Sequence, residues 1–185
     1  AGPFCGMLLG DMGAEVIRID KLSGSEDRYL VPVAESGDGP LFLALNRNKK
    51  SLTLNPMKPK GRDIVENLVM TADIVISNLP QPTLEAMGID YDSLRAIKPD
   101  IILTTVTAYG NGGPYSERVG FDGVAQALAG ATYMGGRPGD PMKSFVPFAD
   151  FGTATMAAFG TLSALIERNK TGNGQLVEAA LTRTV

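Results

Sequence analysis

No histidine occurs anywhere in the chain. Imidazole chemistry is therefore excluded, and with it serine–histidine and cysteine–histidine hydrolases, histidine-ligated zinc and histidine general bases. The single cysteine, Cys5, can form neither an internal disulfide nor a multi-cysteine metal site. No metal is expected, and a reducing compartment is. No apolar stretch is long enough to cross a bilayer, so no membrane partner is expected either. Any catalysis must use carboxylates, lysine, tyrosine, hydroxyls, Cys5 or backbone amides.

What is present suits a globular protein: 185 residues, 44% hydrophobic and 20% charged, the size of one ordinary domain or a piece of a larger one. A net charge of −3 gives no general attraction to nucleic acid. Five cations, Lys21, Arg28, Arg47, Lys49 and Lys50, nevertheless fall within the first fifty residues. They form either a local site for a polyanion or a solvated mixed-charge surface. The chain opens AGPFCG without an initiator methionine and ends TRTV directly after an apolar run, which reads as a fragment.

Glycine-punctuated residues 2–13 carry Phe4, Met7 and Leu8 at helical spacing, and AEVIRID (14–20) then reads as a strand, with Ile17 and Ile19 on one face and Val16 and Arg18 on the other. Polar, glycine-rich residues 22–40 read as a long loop. Next come a helical turn in LFLALN, a strand at 51–54, a helix at 59–71, a strand at 73–78, a turn in TLEAMG, a helix in YDSLRAI and the strand IILTTVTAYG. FDGVAQALAGATYMG reads as one small-residue helix and GGRPGDPMK as a loop. A long helix opens at Asp150 and is closed by TGNG, and QLVEAAL forms the last strand. Alternating strands and helices predict an α/β fold with a Rossmann-like parallel sheet covered by helices on both faces.

Three features bear on chemistry. The glycines at 2, 6, 10 and 13, followed by a strand ending in Asp20, suggest dinucleotide binding. Their spacing is not GxGxxG, however, and Pro3 removes a donor, so close helix–strand packing explains them better. Asn78 stands at the carboxyl end of a strand, where open α/β sheets bind ligands, or else makes an Asx turn before Pro80. Asp150, at the start of a long helix, would meet free amides and the positive end of the dipole, either as a functional carboxylate or as a plain N-cap. Gly152 in the first turn would let a ligand approach the backbone.

Taken in order, AGPFCGMLLGDMGAEVIRIDK, LNRNKKSLTLN, ISNLPQPTLEAMGI, GFDGVAQALAG and DFGTATMAAFGTLSALIERNKTGNGQLVE resemble successive signatures of the family III coenzyme A transferases, which include formyl-CoA and crotonobetainyl-CoA transferases and the α-methylacyl-CoA racemases. The resemblance implies transfer of CoA from an acyl-CoA to a free carboxylic acid, with both as substrates and no permanently bound cofactor. It places the nucleophile, through an aspartyl anhydride and an aspartyl-CoA thioester, at Asp150. Helix-end amides would stabilise the oxyanions.

The resemblance also assigns CoA contacts to Ala1 and Lys21, to Leu54, Asn55, Pro56 and Met57, to Asn78, Leu79 and Pro80, and to Phe121 and Asp122. Ala86 departs from the family pattern, because several members have a basic residue there for the CoA phosphates. Racemases of the family carry GHD where this chain has GFD, and Phe121 cannot move a proton, so transferase is preferred. A non-catalytic acyl-CoA-binding module is the other alternative. The resemblance further implies that residues 1–185 are the amino-terminal part of a large domain, with the small domain and remainder lying beyond them. The whole protein would be an interlocked homodimer in the cytoplasm or, in a eukaryote, the mitochondrion, and this part alone would have little activity.

Overall fold

The computed structural model describes residues 1–30 and 34–185, so part of the loop expected over 22–40 lies outside the described residues. In chain order the first elements are α1 (Gly2–Asp11), β1 (Val16–Asp20), α2 (Pro40–Leu45), β2 (Lys49–Thr53), α3 (Pro59–Thr71), β3 (Ile74–Ser77), α4 (Gln81–Met87) and α5 (Tyr91–Ile97). They are followed by β4 (Ile102–Thr107), α6 (Asp122–Leu128), α7 (Ala131–Met134), α8 (Phe148–Thr171), β5 (Leu176–Ala180) and α9 (Leu181–Thr184). A 3₁₀ turn, Glu26–Tyr29, lies between β1 and α2.

All strand pairings are parallel, as the alternation of elements predicts, but they fall into two hydrogen-bonded groups, β1–β2 and β3–β4–β5. The central strand β4 is buried along almost its whole length. Leu103 and Val75 face Val65, Val69 and Leu94 of α3 and α5. Val106, Ile76 and Ala179 face Cys5 and Leu9 of α1 and Ala154, Ala157 and Ala158 of α8. The result is helix, sheet and helix in three layers.

In β1 the isoleucines point outward, and Val16, Arg18 and Asp20 point inward. Ile17 and Ile19 are exposed, whereas Asp20 is buried and Arg18 half-buried. Arg18 donates three hydrogen bonds to Asp20 and two to Asp27, at 2.8–3.1 Å, and reaches Asn46 at 2.7 Å. Burial pushes the Asp20 carboxyl upward, but hydrogen bonds from Arg18 and Ser25 outweigh it and hold the group below its ordinary range.

Several boundaries differ from the sequence expectation for local reasons. TLEAMG belongs to a helix, α4, because Pro82 occupies its first turn, where a missing N–H costs nothing, and Gly88 ends it at φ 69°. The small-residue helix after Phe121 is two helices, since Gly130 takes φ 87° between them. The second strand runs from Lys49 to Thr53 rather than over 51–54. Helix α1 sends Cys5 and Leu9 into the core beside the expected Met7, with Phe4 and Leu8 packed half-buried around them, and Gly6 and Gly10 let Val16 of β1 approach its backbone.

Helix α8 lies close on β4 and β5 because its inner face is Ala154, Ala157, Ala158, Thr161 and Ala164. Thr104 of β4 and Thr161, both fully buried, share a hydrogen bond of 2.6 Å, and Thr161 also donates to the Ala157 carbonyl at 2.7 Å. Thr161 spends its one proton there, so Thr104 is the donor of the shared bond. Thr161→Val strands the Thr104 hydroxyl in the core and should cost about 1–3 kcal/mol, against about 1 kcal/mol for Thr104→Val, which leaves Thr161 partnered. Urea unfolding of both variants checks the ordering, and equal losses would contradict it.

Candidate active site

The nucleophile candidate does not open its helix. Pro147 is the N-cap of α8, and Asp150 is the third helical residue. The amides expected to serve Asp150 are taken: Asp122 Oδ1 accepts from the backbone N–H of Ala149 at 2.9 Å and of Asp150 itself at 3.1 Å. The buried Asp122 therefore acts as the cap from a neighbouring helix, and the Asp150 carboxylate is left to project from the first turn. Its side chain is 27% exposed, and its Oδ1 lies 3.3 Å from the backbone nitrogen of Ala1. Phe151 stacks on Phe4, with ring centroids 4.7 Å apart, and pins α8 to α1 beside it. Gly152 does not open a path for ligand. A Cβ there would meet the Thr184 methyl at 2.9 Å, so this glycine serves the packing of α9.

Asn78 joins this group. Its side chain is exposed at the end of β3 and sits against Gly2, where a Cβ would fall 3.2 Å from Asn78 Oδ1. The turn before Pro80 is made by Ser77, whose hydroxyl accepts from Leu79 N–H at 3.2 Å, rather than by Asn78. Pro80 is the N-cap of α4. Phe121 precedes α6 and is 70% exposed. The structure thus brings Ala1, Asn78, Asp122 and Asp150 to the shared end of α1, β3, α6 and α8.

Lys21 and residues 54–57 form a second group around the end of β1. Leu54 N–H binds the Asp20 carbonyl at 3.0 Å, and Leu54 packs into the α3–α5 core. Asn55 Oδ1 accepts from Met57 N–H at 3.0 Å, closing the turn that carries Pro56. Gly61 of α3 has its Cα against the Asn55 carbonyl, so a Cβ there would overlap it. Lys21 is exposed and paired with Glu26. Beside it a cavity of about 200 Å³ is lined by Arg28, Tyr29, Ser51 and Thr53 among others. Asp150 does not line this cavity. At Ala86, where a basic side chain is missing, the guanidinium of Arg62 from α3 binds the Ala86 carbonyl at 2.7 Å, so a cation occupies that corner from another helix.

Cys5 is not a nucleophile in this setting. Burial, opposed by Lys49, pushes its thiol up to about 11. Among the described residues no cluster of three or more carboxylate or thiol ligands could hold a metal, and no helix is long and apolar enough to cross a membrane. Sequence reasoning missed Gln126, which is fully buried and hydrogen-bonded to Asp122. The four-residue spacing of the two on one helix face was its available signal.

The profile described as CoA-transferase family III matches residues 1–185. Human succinyl-CoA:glutarate CoA-transferase is 37% identical over 183 residues, covering 98% of this chain and 42% of its own. The beta subunit of succinyl-CoA–L-malate CoA-transferase from Chloroflexus aurantiacus is 38% identical over 189 residues, covering 100% of this chain and 46% of its own. The crystal structure of a CaiB/BaiF family protein from Brucella suis superposes with a TM-score of 0.93 at 38% identity, covering all of this chain and 50% of that one. The chain spans about half the length of the proteins it matches.

Lys49 anchors the start of α1, donating to the Pro3 carbonyl at 2.6 Å and to Asn46 Oδ1 at 2.8 Å. Burial, reinforced by Arg18, lowers its pKa from 10.5 to about 8. Above that value the folded chain has released a proton that the unfolded chain still holds, so this group makes stability rise with pH from about 8. Cys5, raised from 9.0, acts in the opposite sense above that pH, which leaves about pH 8 to 9 as the clean window. The unfolding midpoint should climb across it and the climb should vanish in Lys49→Met; an unchanged climb would assign it elsewhere.

Proposed function

Because the chain belongs to CoA-transferase family III, we infer that it carries the nucleophilic half of an acyl-CoA:carboxylate CoA-transfer reaction, with Asp150 as the attacking carboxylate. The observation that carries this reading is the division of labour between two aspartates. Asp122 satisfies the first-turn amides of α8. Asp150 is thereby left with a partly exposed carboxylate at the mouth of the site. An ionised carboxylate attacks directly and needs no base to activate it.

In the proposed sequence an Asp150 oxygen attacks the thioester carbonyl, the C–S bond breaks, and CoA leaves as its thiolate. The thiolate attacks the aspartyl carbonyl of the mixed anhydride and expels the donor acid as a carboxylate. The acceptor carboxylate then attacks the aspartyl thioester and displaces CoA thiolate. This thiolate takes the acceptor's acyl group and frees Asp150. Negative charge develops at the aspartyl oxygens, which lie beside the start of α1. The helix-end amides cannot serve here, being engaged with Asp122.

For CoA itself, Asn78 and Phe121 present exposed side chains at the same end of the fold, with Asp122 buried next to Phe121. Lys21 lines the cavity at the end of β1, the turn at 54–57 follows from Leu54, which is bonded to Asp20, and Arg62 supplies a cation beside Ala86. Succinyl-CoA with glutarate or L-malate, the substrates named for the relatives, is the first pair to test. The exposed apolar residues Met156, Phe159 and Ile166 on the outer face of α8 support a dimer in which further protein covers that face.

Asp150→Asn in the intact protein should reduce turnover about 10³-fold or more with the melting temperature nearly unchanged. Retained turnover with lowered stability would instead make Asp150 a helix-end residue of a non-catalytic acyl-CoA-binding module.

A further inference from the structure

Gln126 is 1% exposed, and the proposed reaction gives it no part. It lies one turn after Asp122 on α6, and its amide nitrogen donates to Asp122 Oδ2. Its amide oxygen accepts from the backbone N–H of Ser144 at 2.8 Å. The other Asp122 oxygen holds the N–H groups of Ala149 and Asp150. One hydrogen-bonded chain therefore runs from the glycine- and proline-rich loop after α7, through Gln126 and Asp122, to the main chain of Asp150.

The polarity of that chain is fixed at both ends. Ser144 N–H can only donate, so the amide oxygen must face it. The amide nitrogen then faces Asp122, whose ionised carboxylate accepts at both oxygens. Turning the amide over would set N–H against N–H at one end and oxygen against oxygen at the other. Asparagine at 122 or a hydrocarbon at 126 would break the sequence of donors and acceptors in the protein interior.

We propose that Gln126 is a positioning residue for Asp150: acting through Asp122, it fixes the first turn of α8 and ties the place of the attacking carboxylate to that of the loop at Ser144. This rests on Asp150 being the nucleophile. A displacement of about 1 Å at a reacting group can cost about 100-fold in rate, so a clamp on the backbone two bonds from the Asp150 side chain bears directly on turnover.

Gln126→Glu separates this role from simple packing. Protonated, the new acid donates to Asp122 and accepts from Ser144 as the amide does. Ionised, it sets two carboxylates against each other, so one of them holds a proton only at lower pH. With succinyl-CoA and glutarate, the variant's kcat should fall about 10- to 100-fold below the parent's at about pH 8 and recover toward it at about pH 6, with KM for succinyl-CoA within about twofold. Gln126→Ala should show the loss without recovery on acidification. A kcat ratio independent of pH, a change confined to KM, or a lowered melting temperature with kcat intact would overturn the proposal. Asp150→Asn run in parallel tells the two readings apart. If it keeps turnover, the nucleophile assignment fails; if it loses turnover while Gln126→Glu gives a flat ratio, only the positioning role fails.

Discussion

Helix α8 can reach the sheet only because its inner face is built from alanine and threonine, and the placement of every other group at the site follows from that close approach. With Ala154, Ala157, Ala158 and Ala164 turned inward, the helix axis lies near β4 and β5, and α1 can lie beside it over the same face. The long helix is thus held along most of its length, and its first turn is delivered to the end of the sheet where β3 finishes and α1 begins. A larger residue at those positions would push the helix outward and carry Asp150 away from Ala1 and Asn78.

The polar part of the design uses carboxylates for separate tasks at opposite edges. Under α8, Asp122 takes the orphan amides so that Asp150 need not, which keeps a reactive group free at a place where helix geometry would otherwise consume it. At the far edge, Asp20 and Asp27 neutralise Arg18 in a strand whose two isoleucines face out. That ion cluster ties the turn at 26–29 to β1 and so shapes the cavity next to Lys21.

Much of the fold was legible because hydrophobic period and turn residues agree: the helix at 59–71, the strands around 74–77 and 102–107, and the long helix before TGNG stand close to where the pattern puts them. The split at Gly130 was not legible, since glycine is tolerated in a small-residue helix and only the positive φ decides the break. Nor was the inward turn of Arg18, which depends on Asp27 and Asn46 arriving from distant segments. At the site, Asp150 and Asn78 could be picked out locally. The capping role of Asp122 could not, because its partners lie 27 and 28 residues further along.

Covalent acylation of Asp150 followed by its thioesterification is tested most directly by mixing the intact protein with succinyl-CoA, quenching with hydroxylamine and mapping the modified peptide by mass. The expected product is an aspartyl hydroxamate at Asp150 that forms only with a thioester donor. A protein that binds CoA yet leaves Asp150 unmodified across a broad set of acyl-CoA donors would contradict it.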